Sequence, residues 1–436
     1  MKEYPVLKED IFFAKILNGS QTTVIVRNTI TEKDFSVTKD TVTLLELCTG
    51  THTIKDICVI LSELSSEPAD VLVNQVSTAL KILKEKNIIV LNAHPLSHSM
   101  QPAKIIKTTY VPHTAQIEIT NKCNLSCLHC FNNSGDPCPD ELTTEEILCL
   151  IDTLSTMGVY EITLTGGEPM VHPDIFTIVE HARKTPMKVT IFTNGTLIKQ
   201  EHIKKFGKGV KFVVSVDSCY ETIHDTFRGK KGALKKTLDS ICLLKDGGYP
   251  VRVSISLNNM NKNEIVDTIA YLREHEIDDY QVAEVSISGR GIDEVALTPD
   301  KYYDALVEQL LYEKKVKKMA FHAPKEEGGC GIARNLIYIT ADGTILPCHA
   351  CCKDMGVGNV RDVDLPAFWD KNETLEMLRQ IRAEQDEMCK DCEYVSFCDG
   401  CIGNAFIFEG EFRTYDPYAC ARFKAYESVE LLKFGE

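Results

Sequence analysis

Sulfur carries the sharpest chemistry in this 436-residue chain, which has 18 cysteines, three of them in Cys123-Asn-Leu-Ser-Cys127-Leu-His-Cys130. The segment follows the strand-like run Ala115-Gln-Ile-Glu-Ile119, so one loop leaving a strand holds three thiols that can converge on one metal centre. A zinc site needs a fourth ligand; His129 is at hand, although its adjacency to Cys130 strains the geometry. Three cysteines alone suit a 4Fe-4S cluster with one iron open to a small molecule, whereas electron-transfer clusters have four. A second constellation runs from Cys330 through Gly343 to Cys348, then through Cys389-x2-Cys392-x5-Cys398-x2-Cys401 to Cys420. Paired C-x2-C units are also the spacing of zinc ribbons. Cys48, Cys58, Cys149 and Cys242 lie in apolar helical patterns and read as buried bystanders.

Composition bounds the setting for these thiols. The chain is 44% hydrophobic and 25% charged, enough for two to four domains with full cores. With 48 basic against 63 acidic residues its net charge is -15, which argues against nucleic acid as a main partner. The opening MKEYPVLKEDIFFAK has no continuous apolar core, and no later stretch approaches the roughly 18 apolar residues of a membrane span. The expectation is a cytoplasmic protein with no membrane contact, where thiols stay reduced and serve metals better than disulfides.

The elements that must position these residues fall into four stretches. Residues 1–95 read as a small winged-helix-like α+β domain. Ile11 to Leu17 and Thr22 to Arg27 form a hairpin turning at Asn18-Gly19-Ser20. Thr38 caps a helix carrying Val42, Leu44, Leu45 and Leu47 that stops at Gly50, and Thr53 with Asp56 resembles a capping box. Leu72, Val76, Leu80 and Leu83 make one helical face before the β-like run Ile88 to Leu91. Residues 96–110 read as a linker. Over 111–320, strands expected near Gln116–Ile119, Glu161–Leu164, Lys188–Phe192, Phe212–Val216, Arg252–Leu257 and Gln281–Val285 alternate with helices, which predicts a partial (β/α)6 TIM-like barrel. Helices start at Thr143, with Glu146 three residues on, and at Thr298-Pro299. Residues 321–436 are cysteine-rich and broken by turns, and the Lys314 to Lys318 run reads as a solvated helix face.

The Cys123 to Cys130 segment resembles the cluster motif of radical S-adenosylmethionine (radical SAM) enzymes. In that family the open iron chelates the amino and carboxylate groups of the cofactor, and one electron from the cluster cleaves its sulfonium to give a 5'-deoxyadenosyl radical. Thr165-Gly166-Gly167-Glu168-Pro169, at the end of the next strand, matches the family's GGEP motif. The resemblance implies that Glu168 or nearby carbonyls receive the cofactor's ammonium, that Ser215 and Asp217 face its ribose, and that Arg228 meets its carboxylate. It also puts His129 in the place of an aromatic near the adenine. A Ser-x-Asp after a strand can instead cap the next helix, and Arg228 can instead sit in a surface ion pair.

The later cysteines resemble the SPASM extension of radical SAM enzymes that act on peptides. That implies an outer auxiliary cluster on Cys389, Cys392, Cys398 and Cys420, and an inner one on Cys330, Cys348 and Cys401, for three 4Fe-4S clusters in all. The chain has two residues between Cys398 and Cys401 where the family has three. The inner set has three evident ligands: either Cys351 or Cys352 supplies the fourth, or one iron is open to a substrate cysteine, which would favour thioether formation. The first 95 residues are similar to PqqD-like leader-peptide recognition elements, which add the leader as an extra strand. The function implied is a maturase of a ribosomally made peptide, forming a sactionine- or ranthipeptide-type thioether or a carbon-carbon crosslink. Its partners would be a precursor peptide, with leader and core, and an electron donor such as flavodoxin or ferredoxin. Peptide epimerisation is an alternative, with Cys138, Cys219, Cys351 or Cys352 as hydrogen donor; a zinc-binding protein or a plain electron carrier are the non-catalytic ones. No acid-base residue stands out, because the cofactor supplies the chemistry.

Overall fold

The computed structural model describes residues 2–431 except 9–10, 19–20, 29–34, 66, 97–103, 108–109, 292–293, 318–329, 397 and 399. In the first unit, Met1–Val111, strands β1 (Tyr4–Leu7) and β4 (Ile89–Asn92) pair antiparallel. A second sheet joins β2 (Ile11–Asn18) antiparallel to β3 (Gln21–Asn28) and parallel to β5 (Lys104–Lys107). The hairpin's Gly19-Ser20 turn lies outside the described residues.

The helices form where their caps say they should. At α1 (Lys39–Leu47) the Thr38 hydroxyl accepts the Thr41 N–H at 3.3 Å. Before α2 (Ile54–Ser65), Asp56 accepts the Thr53 N–H at 2.8 Å while the Thr53 hydroxyl accepts the Asp56 N–H at 3.2 Å. Along α3 (Ala69–Glu85), Leu72, Val76, Leu80 and Leu83 are buried, as their spacing requires. The stretch expected as a linker is corrected: Lys104-Ile-Ile-Lys107 is strand β5, and the first unit runs to Val111. Two apolar residues give no periodic signal; pairing with β2 makes them a strand.

In the second unit, Pro112–Glu436, β6 (Thr114–Glu118), β7 (Glu161–Thr165), β8 (Lys188–Thr193), β9 (Val210–Ser215), β10 (Val251–Leu257) and β11 (Tyr280–Glu284) lie side by side in chain order, all parallel. Between them run α4 (Thr144–Met157), α5 (Ile175–Arg183), α6 (Gln200–Phe206), α7 (Glu221–Arg228), α8 (Ala233–Asp246) and α9 (Ile265–Glu274), and α10 (Pro299–Lys317) follows. Ile117, Ile162, Leu164, Phe212, Val214, Val253 and Ile255 are fully buried in these strands, the run of apolar residues that a sheet covered on both faces needs. The result is the expected partial barrel, open between β11 and β6.

That sheet continues past β6 in a way the sequence did not indicate. Strand β12 (Leu336–Ile339) pairs parallel to β6, and β13 (Thr344–Leu346) and β14 (Gly358–Asn359) add antiparallel, turning at Gly343 with φ +84°. Helices α11 (Leu365–Lys371), α12 (Glu373–Gln380), α13 (Ile402–Glu409) and α14 (Pro417–Ser428) complete the chain. Three smaller expectations are corrected. Cys149 and Cys242 are exposed, because Leu150, Ile151 and Leu154 on α4, and Ile241 and Leu244 on α8, take the inward positions. Lys314 is not simply solvated, since its Nζ donates to the Val429 carbonyl at the end of α14 at 2.8 Å; Lys318 lies outside the described residues. Among the described residues no helix is long and apolar enough to cross a membrane.

Candidate functional site

The carboxyl ends of parallel strands are where such folds gather their chemistry, and here the Cys123–Cys130 loop leaves β6 at that end. The Cys123 N–H donates to the Gly135 carbonyl at 2.8 Å and the Cys130 N–H to the Cys127 carbonyl at 3.4 Å, which folds the loop inward. Burial, followed by Glu168 and the other two thiols, pushes Cys123 up to about 11. Two N–H donors already address sulfur: Ser134 N to Cys130 Sγ at 3.2 Å, and Arg228 Nη1 to Cys127 Sγ at 3.9 Å. Three grouped thiols with N–H donors on their sulfurs fit a cluster held by three thiolates, which lose their protons as metal binds.

The loop is wedged in place by backbone that only glycine permits. Gly229, which ends α7 with φ +70°, would drive a Cβ into the Ser126 carbonyl, and Gly289, with φ +59°, would drive one into the carbonyls of Cys130 and Phe131. Leu128 N–H donates to Phe227 O at 2.9 Å, Arg290 N–H to Cys130 O at 2.9 Å and Arg290 Nε to Cys127 O at 2.8 Å. Arg290 gave no signal in the sequence, because it meets the loop only across the fold.

The Gly166-Gly167-Glu168-Pro169 turn lies directly against the residues leading into Cys123. A Cβ on Gly166 would meet the Thr120 carbonyl and one on Gly167 the carbonyls of Asn121 and Lys122; Gly167 N–H bonds Thr120 O at 2.8 Å. The two glycines let this turn pack directly on the backbone that leads into Cys123. Glu168, only 1% exposed, accepts from the Thr193 hydroxyl (2.7 Å), Asn194 N–H (2.7 Å) and Met170 N–H (3.0 Å). Burial nevertheless holds its carboxyl above the usual range. Much of its acceptor capacity therefore ties β7 to β8. Pro169 is buried at the start of a single 3-10 turn, Pro169–Val171. From the end of β8, Asn194 Nδ2 donates to Asn124 Oδ1 at 3.0 Å, so a pair of asparagines unnoticed in the sequence links this turn to the cysteine loop.

Ser215 is half-buried at the last position of β9. Asp217, two residues on, is fully buried and bonds Arg228 through both oxygens, to Nε at 2.6 Å and Nη2 at 3.0 Å; its Oδ1 also accepts Ser256 N–H at 3.0 Å. Burial alone would raise Asp217, but Arg228 first, then His129 and His224, hold it below its ordinary value. The Asp217 oxygens are engaged by Arg228 and the β10 backbone. Asp217 does not cap α7, whose N-cap position is Tyr220 and carries no side-chain cap. Arg228 is in no surface ion pair; two of its nitrogens hold Asp217 and the third faces Cys127. Burial pushes His224 down to about 4, so its neutral Nδ1 accepts the Asp217 N–H at 3.2 Å. His129 stacks on Phe227, ring centroids 4.1 Å apart and 6° from parallel, and is pushed by burial down to about 3. Its Nδ1 is buried with no hydrogen-bond partner among the described residues.

The later cysteines gather in two sets. The thiols whose charge reaches Cys398 are Cys420, Cys389 and Cys392, and burial is the first reason it is pushed up to about 11. Asp386 ties this set together: it accepts from Arg413 Nη2 at 2.9 Å and from the Thr414 and Tyr415 N–H groups at 3.0 and 3.1 Å, on the approach to α14, which bears Cys420. Cys401, pushed by burial up to about 12, feels Cys330 and Cys348. Between the first cysteine loop and the Cys351-Cys352 turn opens a cavity of about 310 Å³, lined among others by Phe131, Asn132, Cys138, Ser288, Cys352 and Glu118. Glu118 is buried and accepts from Tyr338 Oη at 2.6 Å and the Ala341 N–H at 3.0 Å.

Residues 117–272 match the family model of the Radical SAM superfamily, and residues 330–393 that of SPASM, an iron-sulfur cluster-binding domain. The chain is a radical SAM enzyme with a SPASM domain. The first domain binds S-adenosylmethionine and a 4Fe-4S cluster, and the second carries auxiliary iron-sulfur clusters. Among similar proteins, the AdoMet-dependent heme synthase of Methanosarcina barkeri is 29% identical over 348 residues, 73% of this chain and 99% of that one. The antilisterial bacteriocin subtilosin biosynthesis protein AlbA of Bacillus subtilis is 26% identical over 420 residues, 91% of this chain and 92% of its own. The fold is that of Streptococcus suis SuiB, solved bound to its precursor peptide SuiA, with TM-score 0.67 and 17% identity over 96% of this chain and 99% of that one.

Proposed function

We propose that the chain matures a ribosomally made peptide, installing a thioether or a carbon-carbon crosslink after recognising the peptide's leader. The carrying observation is how far the likenesses reach. The second unit is about three quarters of the chain, and the likeness to the heme synthase, at 73%, needs no more than that unit. The likeness to AlbA, at 91%, runs on into the first unit. There β3 pairs with β2 on one side, and its other edge meets no strand among the described residues. A PqqD-like role, with the leader added as a strand to that edge, fits this unit, and a groove of about 450 Å³ lined by Leu44, Leu61, Leu72 and Val76 can take leader side chains.

In this reading Cys123, Cys127 and Cys130 hold the first cluster. The backbone at Gly166, Gly167 and Pro169, with Glu168, Ser215, Arg228 and His129, surrounds S-adenosylmethionine. Cys330, Cys348 and Cys401 belong to an inner cluster, and Cys389, Cys392, Cys398 and Cys420 to an outer one. Once loaded, the first centre supplies a 5'-deoxyadenosyl radical able to take hydrogen from an unactivated carbon. The chain's own residues fix the geometry: Arg228, Arg290 and the wedging glycines hold the cysteine loop, and the cavity beside Phe131 admits one residue of the core peptide.

The test is anaerobic reconstitution followed by incubation with S-adenosylmethionine, a flavodoxin or ferredoxin reductant and a leader-bearing peptide with a cysteine in its core. About twelve irons per chain, four for each cluster, deoxyadenosine release and a product lighter by two hydrogen atoms are expected. Zinc without iron, or cofactor cleavage with no change in any leader-bearing peptide, would count against it.

A further inference from the structure

We infer that Cys351, which lies outside the SPASM-like cysteine pattern, is the fourth thiolate of the inner iron-sulfur centre and leaves that centre no open iron. The inference rests on the reading that Cys330, Cys348 and Cys401 hold a cluster.

Three backbone contacts assemble the four residues. Ala333 N–H donates to the Pro347 carbonyl at 3.0 Å, which lays the segment after Cys330 beside Cys348. Cys351 N–H donates to the Cys348 carbonyl at 3.2 Å, closing a turn that brings those two residues together. Gly403, in the first turn of α13, packs so closely on this turn that a Cβ there would run into the Ala350 carbonyl, which sets Cys401 over it. Cys351 ends up fully buried, at 0% exposure. The charges that reach its sulfur are those of Cys348, Cys401 and Cys330, after burial, which is the largest cause of its raised pKa. Cys351 is buried and Cys330, Cys348 and Cys401 are half-buried; four thiols whose charges reach one another, with no cation among them, are poorly placed as free thiolates and well placed as ligands.

Cys352 is built differently. It is half-buried where Cys351 is fully buried, with extended backbone, φ -74° and ψ 167°, although both residues line the cavity of about 310 Å³. The choice between the two cysteines, open on sequence alone, falls to Cys351. A substrate cysteine then has no vacant iron in the inner centre and must react from the cavity as a thiol that no iron holds.

The wild-type protein, Cys351→Ala, Cys351→Ser and Cys352→Ala are reconstituted side by side and assayed for iron, sulfide and the Mössbauer and EPR signals of each cluster, with and without added 2-mercaptoethanol. Wild type and C352A should give the same iron content and spectra, indifferent to the thiol. C351A should lose about four irons, one cluster's worth, or keep them with an inner-cluster signal that shifts when the thiol is added. C351S, whose oxygen can still ligate iron, guards against a folding defect and should keep its iron with a shifted signal. Wild-type spectra in both Cys351 variants, or a change confined to C352A, would overturn the assignment. A wild-type protein that binds no iron would instead sink the cluster reading beneath it.

Discussion

At the scale of single residues, Arg228 is the side chain whose placement changed most between sequence and structure. Its Nη1 addresses Cys127 Sγ at 3.9 Å while Asp217 clamps the other two nitrogens. Hydrogen bonds and positive charge at a cluster sulfur ease reduction, so Arg228→Met should make the first cluster harder to reduce. The ratio of reduced to oxidised cluster at a fixed potential should fall about tenfold, which is 59 mV for a one-electron couple. EPR-monitored redox titration measures this, and an unmoved midpoint would exclude the role. R228M also strands a buried carboxylate, at about 3 to 5 kcal/mol; the double variant with Asp217→Asn should recover stability but not the potential. His224 gives a pH dependence. It titrates near 4 in the folded protein against an ordinary 6.5, so between those values the unfolded chain binds more protons. Its contribution is full above about pH 6.5 and is lost as pH falls toward 4, up to about 3 kcal/mol. His224→Asn, which keeps an acceptor for the Asp217 N–H, should flatten the fall in Tm between pH 7 and 4.5; an unchanged slope would show that other groups carry it. The cysteines and the Gly166 to Pro169 turn were legible because their spacing is local. The partners of Asp217, Asn124 and Arg290 were not, since each lies in a different strand or loop and only folding brings it near.

Elements position the cysteine loop through contacts that tolerate no side chain, and this separates two glycines of nearly the same backbone. Gly229 and Gly232 have φ +70° and +73°, but a Cβ at Gly229 meets the Ser126 carbonyl while one at Gly232 meets nothing within 4 Å. Gly232→Ala should therefore cost only the left-handed backbone, about 1 kcal/mol. Gly229→Ala must in addition push the Cys123–Cys130 loop away from α7. It should lose about 2 kcal/mol or more and, unlike G232A, bind less iron at the first cluster. Equal Tm and iron content for the two variants would mean that the loop is not wedged there. At this scale β6 to β10 were readable because their apolar residues are buried, and β11, whose residues are half-buried or exposed, was readable by its place in the alternation of strands and helices. Strands β12 to β14 were not: Leu336–Ile339 is short, and it becomes part of the barrel sheet only by pairing with β6, more than 200 residues away in the chain.

At the scale of the whole molecule the proposed function gives the two units separable tasks, and that can be tested by cutting between them. The first unit has its own core, built from Leu45, Ile57, Leu80, Ile88 and their neighbours, and the candidate cysteine sites and the Gly166 to Pro169 turn all lie after Val111. A chain starting at Pro112 should keep its clusters and release deoxyadenosine at a rate within about twofold of the full chain, because none of the residues around Cys123 is lost. Peptide maturation should behave differently. A leader held on the first unit turns the encounter of core and cavity into an intramolecular event, and tethering of this kind is worth on the order of 100-fold or more. The shortened chain should therefore modify a leader-bearing peptide on the order of 100-fold more slowly at low peptide concentration and converge on the full chain as peptide is raised. Equal rates at low concentration would remove the first unit from substrate recognition and with it the observation on which the peptide reading rests. Loss of deoxyadenosine release as well would instead show that the first unit supports the fold of the second, a dependence that adding the separate 1–111 fragment back should then repair.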